Sequence, residues 1–587
     1  MKRLGVPLTI ALLAAVGMAC GEVTPPGETG SGGHGGSGGM GRGGTGGTTS
    51  GAAGVTGAAG TTGAAGVSGG AGTTGAGGSA QCGTTCPAGT WNLDGDATTG
   101  ACGCEYTCNK ISDADPIDAA FTDDNCDGSD GVVAQCVFVS ATLGSVAGAG
   151  TRAQPTVSIA RGIDLARTNG LIAVCVGGGV YAEAVTVVSG INIYGGFDAT
   201  NASFAFRRTA TAVSEVTAPG VVFDAPAINA DTHLEGLKIR ATTPTTPGAS
   251  TYGVRLGGGT GRLFVRYDVI EAGRGADGAS GTDGPAPTAI AASGKPGTNG
   301  TSGANAGGEG GPAPTCTEPG GAGGPGGYDA QPGADGKPGT CNARVGTGGQ
   351  PNSASACLGV TGAATGGGGA PCGIPGTAGS PGVGGGALGM VVSGLYAPAD
   401  GVDGVNGVNG KGGSGGGGGG GGDNGTLCVS DRGGGGGSGG CGGIGGNRGT
   451  KGHGGGGSFA VFAAAGMIVV SDDQLTTVGG GKGGKGGAGA AGQQGGMGGL
   501  PGSGADDSGP GGMGGAGSSG GAGGPGGGGG GGPSICVARA PSTSVLFMNV
   551  TCSTGAPGAG GLGGANPTGG MGAPGATGAL GENVQLN

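Results

Sequence analysis

An acidic loop in the first quarter of the chain has the residue types and the spacing of a calcium site. Asp123, Asn125 and Asp127 occupy alternate positions of the segment DDNCDG, which Gly128 closes. Crowded carboxylate and amide oxygens are the hard ligands that Ca²⁺ prefers, and glycine permits the sharp turn that such loops make. The sequence therefore predicts a calcium-binding loop at this place.

The loop departs from a standard EF-hand at its twelfth position, where Ala134 stands in place of a bidentate Glu. We expect Asp130 or Asp118 to complete the site in another geometry. The alternative is a solvated acidic linker, because residues 111–130 contain seven Asp and no Lys or Arg.

Residues that could act in catalysis are sparse and scattered. Asp472 and Asp473 form the only adjacent acidic pair after a strand-like run, and residues 238–240 form the only basic cluster within one. A polysaccharide lyase or hydrolase needs paired carboxylates, or a cation with an arginine, on one face. We expect the aspartate pair to cap a turn, and we expect the chain not to be an enzyme. The histidines lie in different segments, as His34, His233 and His453.

The elements that must position these groups are few, because glycine supplies 171 of the 587 residues and aromatic residues only 3%. Glycine has no side chain to bury, so a core must come from short runs rich in Val, Ile, Leu and Phe. Runs long enough for two strands begin near residues 252, 387, 458 and 534, and a glycine-rich stretch follows each of them. These insertions cover about 274–386, 402–457, 482–533 and 556–580.

Recurring strand pairs separated by insertions of varying length are typical of a solenoid, in which each coil contacts only its neighbours. The pattern predicts an all-β fold, a right-handed parallel β-helix whose inward side chains share one core. An amphipathic helix at 154–168 is expected to cap the N-terminal end and cover its strand edges. The predicted core residues are Val254, Leu256, Val265, Val461, Val469, Ile535 and Phe547.

The glycine-rich insertions are open to two interpretations. The first is flexible or polyproline-II-like loops, which suits long stretches without apolar side chains. The second is a bundle of glycine strands packed side by side, which is open only to residues without a Cβ. A Walker A phosphate-binding loop is excluded, because the segment GGGKGGK at 479–485 has Gly after each Lys, where such a loop has Ser or Thr.

The N-terminus has the features of an export signal. Two basic residues precede an apolar stretch at 4–16, and small residues stand before Cys20. Residues 1–19 are predicted to be a signal peptide and Cys20 a lipidation site, with plain secretion as the alternative. Residues 20–80 form a flexible Gly/Thr-rich linker. The lipid anchor is expected to hold the protein in the outer membrane, facing the cell surface.

Cysteine usage agrees with export, because the 17 Cys leave an even number once Cys20 is set aside. In an oxidising compartment these cysteines are expected to form disulfides. The Cys- and Asp-rich segment 81–130 is too short for a core of its own, so disulfides or a metal must stabilise it. Cys536 and Cys552 flank one strand pair and are expected to form a bridge.

A stretch in the first third of the chain resembles a known family. The segments GTRAQPTVSIARGIDLARTNG (150–170), LIAVCVGGGVYAEAVTV (171–187) and SGINIYGGFDAT (189–200) are similar to the start of bacterial β-helix proteins with a DUF1565-type domain, a family related in fold to pectin lyases. The Cys- and Asp-rich segments at 102–109 and 113–131 resemble those of myxobacterial-type surface lipoproteins. The resemblance implies a parallel β-helix at the cell surface and brings no established activity.

Together these observations predict a cell-surface structural or adhesive lipoprotein, with a β-helix at 131–587 that displays glycine-rich loops. Polysaccharide or extracellular matrix is the expected partner, together with the outer membrane through the lipid anchor. The net charge of −11, without clustered Lys or Arg, excludes nucleic acid. Two other functions stay open, a polysaccharide lyase or hydrolase and a calcium-dependent binding module at 81–130, and so does the oligomeric state.

Overall fold

The computed structural model describes residues 85–200, 206–303, 306–352, 364–422 and 429–586. The predicted signal peptide and linker lie outside these ranges, and so do Cys20 and His34. Among the described residues, no helix is long and apolar enough to cross a bilayer.

The regular secondary structure of the described residues is almost all strand, with one α-helix and one 3-10 turn. In chain order the elements are β1 Thr90–Trp91, β2 Tyr106–Thr107, the 3-10 turn Val133–Gln135, β3 Cys136–Val139, α1 Ile159–Asn169, β4 Ala173–Gly177, β5 Gly179–Tyr181, β6 Val185–Thr186, β7 Asn192–Asp198, β8 Arg207–Arg208, β9 Ser214–Pro219, β10 Val221–Ala225, β11 Thr232–Glu235, β12 Lys238–Thr242, β13 Thr251–Leu256, β14 Arg262–Arg266, β15 Val269–Ala272, β16 Met390–Val392, β17 Leu395–Ala397, β18 Ser458–Ala463, β19 Met467–Ser471, β20 Gln474–Thr477, β21 Ser534–Arg539, β22 Ser544–Met548, β23 Thr551–Thr554 and β24 Leu580–Gln585.

Most strands belong to three long parallel sheets. Sheet 1 has the order β24-β21-β18-β13-β10-β6, sheet 2 the order β22-β19-β14-β11-β7-β4-β3, and sheet 3 the order β23-β20-β15-β12-β9-β5. The chain passes through sheets 1, 2 and 3 in turn in β10–β12, and it repeats that order in β13–β15, β18–β20 and β21–β23. The prediction of an all-β fold with long parallel sheets is confirmed.

The inward side chains of the three sheets form one hydrophobic cluster. Two predicted core residues face outward, because side chains alternate along a strand and one step changes the face. Ile468 and Val470 take the inward positions around Val469, and Ile535 belongs to a separate outer cluster with Tyr252. Phe547 is only partly buried against the core. The other predicted core residues are fully buried: Val254, Leu256, Val265 and Val461.

The helix α1 begins at Ile159 rather than at residue 154. Ser158 is its N-cap, and its side chain accepts a hydrogen bond from the N–H of the third helical residue at 3.3 Å. The carboxylate of Glu183 accepts from the first two helical N–H groups, at 2.8 and 3.1 Å. Pro155, within the predicted range, lies outside the helix. The N-terminal N–H groups are therefore satisfied by two side chains, which fixes where the helix begins.

The sequence predicted that the run at 387–401 forms a coil of the parallel sheets, and this prediction is wrong. Its strands β16 and β17 pair antiparallel with each other as a separate two-stranded sheet. Ser393 and Gly394 between them have φ angles of 50° and 77°, the left-handed conformation of a tight hairpin turn. Tyr396 packs against Phe459 outside the core, with ring centroids 5.2 Å apart. A single insertion therefore runs from β15 to β18.

Candidate functional site

The long glycine-rich insertions all leave sheet 3 and return to sheet 1, between β15 and β18, β20 and β21, and β23 and β24. Because they leave from the same corner of successive turns, they lie beside one another. Their described parts pack as extended tracts joined by backbone hydrogen bonds every third residue. We call this assembly the glycine bundle; its main tracts are 275–300, 366–385, 399–420, 434–455, 479–502, 509–532 and 556–578.

The tract 509–532 lies at the centre of the glycine bundle. It shares backbone hydrogen bonds of 2.7–3.0 Å with neighbours on six sides. A segment without apolar side chains can be buried only if its N–H and C=O groups are paired, and these neighbours supply the partners. The six neighbouring segments are 366–385, 399–420, 434–455, 479–502, 556–564 and 572–578.

Only glycine fits at the contacts between tracts, because neighbouring backbones touch there and leave no room for a Cβ. A Cβ built on Gly523 would lie well inside 3.0 Å of the Asn447 carbonyl oxygen, and one on Gly514 would meet the carbonyl of Ser438 in the same way. Real Cβ atoms do not approach backbone so closely. The flexible-loop interpretation is therefore wrong for the described tracts, and the interpretation as packed glycine strands is confirmed.

Amide and carboxylate side chains end the glycine bundle on one side. Asp400, Asp403, Asn406 and Asn409 follow one another at intervals of three residues. Each accepts a hydrogen bond from a backbone N–H of the tract 434–455, at 2.8–2.9 Å. The side chains take the place of a further tract, so the outer backbone is satisfied without another chain segment.

A row of apolar side chains lies on the outside of the tract 399–420. Val402, Val405 and Val408 are 54%, 54% and 52% exposed, and Val383 on the adjacent tract is 65% exposed. The N–H of Val402 donates to the carbonyl of Val383 at 2.8 Å, so the two tracts lie side by side. At a rise of about 3.1 Å per residue, the valines repeat about every 9 Å. An exposed apolar row on a hydrogen-bonded support is suited to binding another surface.

The predicted calcium loop is a compact turn in which the side chains bind backbone. The carboxylate of Asp123 accepts from the N–H groups of Asp127 and Gly128, at 3.1 and 2.8 Å, and from the Tyr106 hydroxyl at 2.7 Å. The Asn125 side-chain oxygen accepts from the Asp127 N–H at 2.8 Å. In the described part of the chain, no group of three or more His, Cys, Asp or Glu is placed to hold a metal ion.

Asp130, the fourth predicted ligand, forms a buried ion pair with Arg208 instead. The two side chains are 0% and 3% exposed. The Arg208 guanidinium also donates to the carbonyls of Asp118 and Gly195, at 2.6 and 3.1 Å, and lies 4.7 Å from the ring centre of Phe121. Burial raises the pKa of Asp130 to about 6, against the opposing effect of Arg208. This pair fastens the Cys- and Asp-rich segment to strand β8.

Asp472 and Asp473 differ in exposure, because the first is exposed and the second is buried. Asp472 has a φ of 60° at the corner between sheets 2 and 3, where Tyr267 and Asn549 have the same left-handed conformation in the neighbouring turns. Asp473 is 1% exposed, and its Oδ1 accepts the N–H of Asp268 at 2.8 Å. Asp473 therefore caps a turn, as expected, whereas the Asp472 carboxylate accepts a hydrogen bond from the Asn549 side-chain amide at 3.2 Å.

Asp268 and Asp473 stack inside this corner as a ladder of carboxyl groups. Asp268 Oδ1 accepts the N–H of Leu237 at 2.7 Å, just as Asp473 accepts that of Asp268. The Oδ2 atoms of both are buried without a hydrogen-bond partner. Burial raises the pKa of Asp268 well above its ordinary value, with a further rise from Asp473, and burial raises the pKa of Asp473 to about 8. The ladder therefore holds protons at neutral pH.

Replacing Asp473 by Asn is expected to stabilise the protein most at pH 8 and progressively less as the pH falls toward 4. The folded protein keeps a proton on Asp473 up to about pH 8, whereas the unfolded chain loses it near pH 4. Stability therefore falls between these values as the pH rises, by up to about 1.4 kcal/mol per pH unit, and a neutral amide removes this loss. Melting temperatures of both proteins from pH 5 to 8 test this. Asp472→Asn is the exposed control, and a variant-to-wild-type difference that stays constant with pH would contradict the prediction.

His233 belongs to a polar group that the sequence analysis missed. Its Nδ1 lies 2.6 Å from Oε1 of Glu235, which is 1% exposed and also accepts from Arg266 Nε at 2.7 Å. The imidazole stacks on Phe264, with ring centres 4.4 Å apart. The carboxylate is already neutralised by Arg266, so the group serves to hold strands β11 and β14 in register. The sequence signal was the pairing of opposite charges 31 residues apart.

The other predicted polar groups are also paired. Lys238 Nζ lies 2.8 Å from Glu215, and Arg240 lies 3.5 Å from Glu271. His453 Nδ1 is 3.1 Å from Asp400, beside a cavity of about 360 Å³ between the sheets and the glycine bundle.

Disulfides are present, as cysteine usage predicted. Cys536 and Cys552, the pair named from the sequence, are joined, and the bridge links sheet 1 to sheet 3. Four more bridges join described residues: two in the Cys- and Asp-rich segment, one in sheet 2, and one between Cys316 and the tract 434–455. These are Cys86–Cys104, Cys108–Cys126, Cys136–Cys175 and Cys316–Cys441.

Comparison with known proteins brings no relative: no protein-family model matches the chain, and no curated protein or solved structure matches it.

Proposed function

We propose that this chain is a cell-surface structural or adhesive protein, whose parallel sheets support a glycine bundle that contacts polysaccharide or extracellular matrix. The glycine bundle carries the proposal. Seven tracts are held by backbone hydrogen bonds at fixed three-residue intervals, so the side chains on the outer tracts stand in regular rows. Such a surface suits a repetitive partner better than a single small molecule.

The support is proposed to be a right-handed parallel β-helix. Its basis is the repeated passage of the chain through sheets 1, 2 and 3, together with the strong preference of parallel crossovers for the right hand. The helix α1 is proposed as its N-terminal cap. Ile159, Ile163 and Ala166 are buried in the same cluster as Val139 and Val174, so the apolar face of α1 lies over the first turn of the core.

The location follows from the sequence signal and the cysteines. Five disulfides among the described residues favour an oxidising compartment. Cys20 is the proposed lipid anchor, and residues 20–80 the tether that carries the folded part away from the outer membrane. Calcium binding by the loop at 123–128 stays a prediction.

Binding of the full chain to immobilised polysaccharides and matrix proteins tests the function. We expect retention on at least one polysaccharide, and about tenfold weaker retention after Val405→Lys, because a charge in the apolar row must be desolvated at the contact. Leu500→Lys is the matched control, since Leu500 is 64% exposed on another outer tract. Absence of retention on every surface, or an equal effect of both variants, would refute the proposal.

A further inference from the structure

Two cysteines beside the glycine bundle are free thiols among the described residues, Cys341 and Cys372. Cys372 is 5% exposed in the tract 366–385, and Cys341 is partly exposed at the turn 339–342. Free thiols are unusual in a chain whose other described cysteines are bonded, and exported proteins rarely keep two of them.

The backbone brings the two cysteines together. The segments 344–347 and 367–370 run antiparallel, with backbone hydrogen bonds of 2.6 and 3.0 Å three residues apart. The same spacing, continued by one step, places Cys341 opposite the residue that follows Cys372. The two thiols accordingly lie close enough to interact: burial, and after it the Cys372 thiol, raises the pKa of Cys341 to about 11.

We propose that Cys341 and Cys372 are oxidised to a disulfide after export, which joins the turn 339–342 to the tract 366–385. The proposal rests on the export that is part of the proposed function, because a reducing compartment would keep both thiols. It adds a second covalent link to the glycine bundle beside the Cys316–Cys441 bridge, where neighbouring tracts are held mainly by backbone hydrogen bonds.

The oxidant is a disulfide of a small molecule or an exchange protein. The thiolate of Cys341, the more accessible sulfur, attacks one sulfur of that disulfide, forms a mixed disulfide and releases the other sulfur as a thiolate. Cys372 loses its proton and displaces the remaining sulfur, which leaves as the second thiolate. The two electrons of the dithiol reduce the donor, and the two protons leave on the donor thiols. Because the pKa of Cys341 is raised, uncatalysed exchange in the folded protein is slow.

Peptide mapping tests the cross-link. The full chain is expressed with its own N-terminus, its free thiols are alkylated under denaturing conditions, and it is digested without reductant. We expect the peptides of Cys341 and Cys372 to appear joined, about 2 Da lighter than the two reduced peptides together, because two hydrogens are lost. In Cys341→Ser protein, we expect Cys372 to become alkylated. Alkylation of both cysteines in the exported wild type, or a bridge from either one to Cys357 or Cys428, would overturn the proposal.

The Cys536–Cys552 bridge separates the two possible failures. If Cys536 and Cys552 are joined while Cys341 and Cys372 are alkylated, export stands and the proposed cross-link is wrong. If all four are alkylated in protein from the native compartment, the export on which the cross-link rests is wrong as well.

Discussion

Replacing Arg208 by Met is expected to lower the free energy of unfolding by about 3–5 kcal/mol. The change leaves the carboxylate of Asp130, which is 0% exposed, without its cation. It also removes the donors to two backbone carbonyls, at 2.6 and 3.1 Å. An uncompensated buried charge costs more than the pair contributes, because the desolvation is already complete when the partner is lost.

The effect is expected to be largest in the Cys- and Asp-rich segment. Asp130 and the carbonyl of Asp118 belong to that segment, whereas Arg208 lies on strand β8. Limited proteolysis should therefore cut between residues 85 and 131 before the parallel sheets open, and thermal melting should show an early transition.

Arg207→Met is the matched control for this experiment. Arg207 precedes Arg208 in the same strand, but its guanidinium lies over the ring of Tyr106 at 5.5 Å and is not part of the buried pair. We expect a loss below about 1 kcal/mol for this variant. A second variant, Arg208→Met combined with Asp130→Leu, should regain part of the stability, because it removes the uncompensated charge while the carbonyls of Asp118 and Gly195 still lack their donors. Equal effects of Arg207→Met and Arg208→Met would show that the ion pair does not hold the segment.

The Arg208 pair marks the limit of what the sequence could predict at the candidate calcium loop. Asp123, Asn125 and Asp127 do lie in one turn, as their spacing indicated. The carboxylate of Asp130 pairs with Arg208, which lies 78 residues away in the chain. Local spacing carries no information about such a distant partner, so the sequence could not predict the ion pair of Asp130 with Arg208.

The parallel sheets were predictable from strand composition, and their register had a signal that went unused. Four ion pairs join residues 31 positions apart and cross between neighbouring strands: Asp224–Arg255, Asp231–Arg262, Glu235–Arg266 and Arg240–Glu271. Pairs of opposite charges that recur at one interval give the number of residues between neighbouring strands of the same sheet. Because the paired charges Arg262 and Arg266 face outward, Leu263 and Val265 between them face inward. In strand β19, which pairs with β14, the same alternation places Val469 on the outer face.

The sequence could not decide between the two interpretations of the glycine-rich insertions, because a high glycine content fits both a loose loop and a close-packed strand. What separates them is the position of the residues other than glycine. In the tract 399–410, Asp and Asn recur every third residue and accept backbone N–H groups of a neighbour. A loose loop has no reason to keep that interval, so periodic Asp and Asn beside periodic glycine is the signal that predicts a packed edge.

Gly523→Ala is expected to disrupt the centre of the glycine bundle, at a cost of about 3 kcal/mol or more in the free energy of unfolding. The new Cβ would overlap the carbonyl of Asn447, in the tract 434–455. That tract cannot retreat without breaking its hydrogen bonds to 509–532, among them Gly446 N–H to Gly521 O at 2.8 Å. One methyl group therefore separates two backbones over several residues, since their hydrogen bonds repeat at a fixed interval.

Gly373→Ala supplies the comparison, because a Cβ on Gly373 meets no atom within 4 Å. We expect this variant to melt within about 1 °C of the wild type, or slightly above it, since alanine restricts the unfolded chain more than glycine does. Thermal melting and amide hydrogen exchange of the glycine bundle measure the difference. If the two variants melt alike and exchange alike, close backbone contact does not hold the tracts together, and the regular rows on their outer surface lose their support.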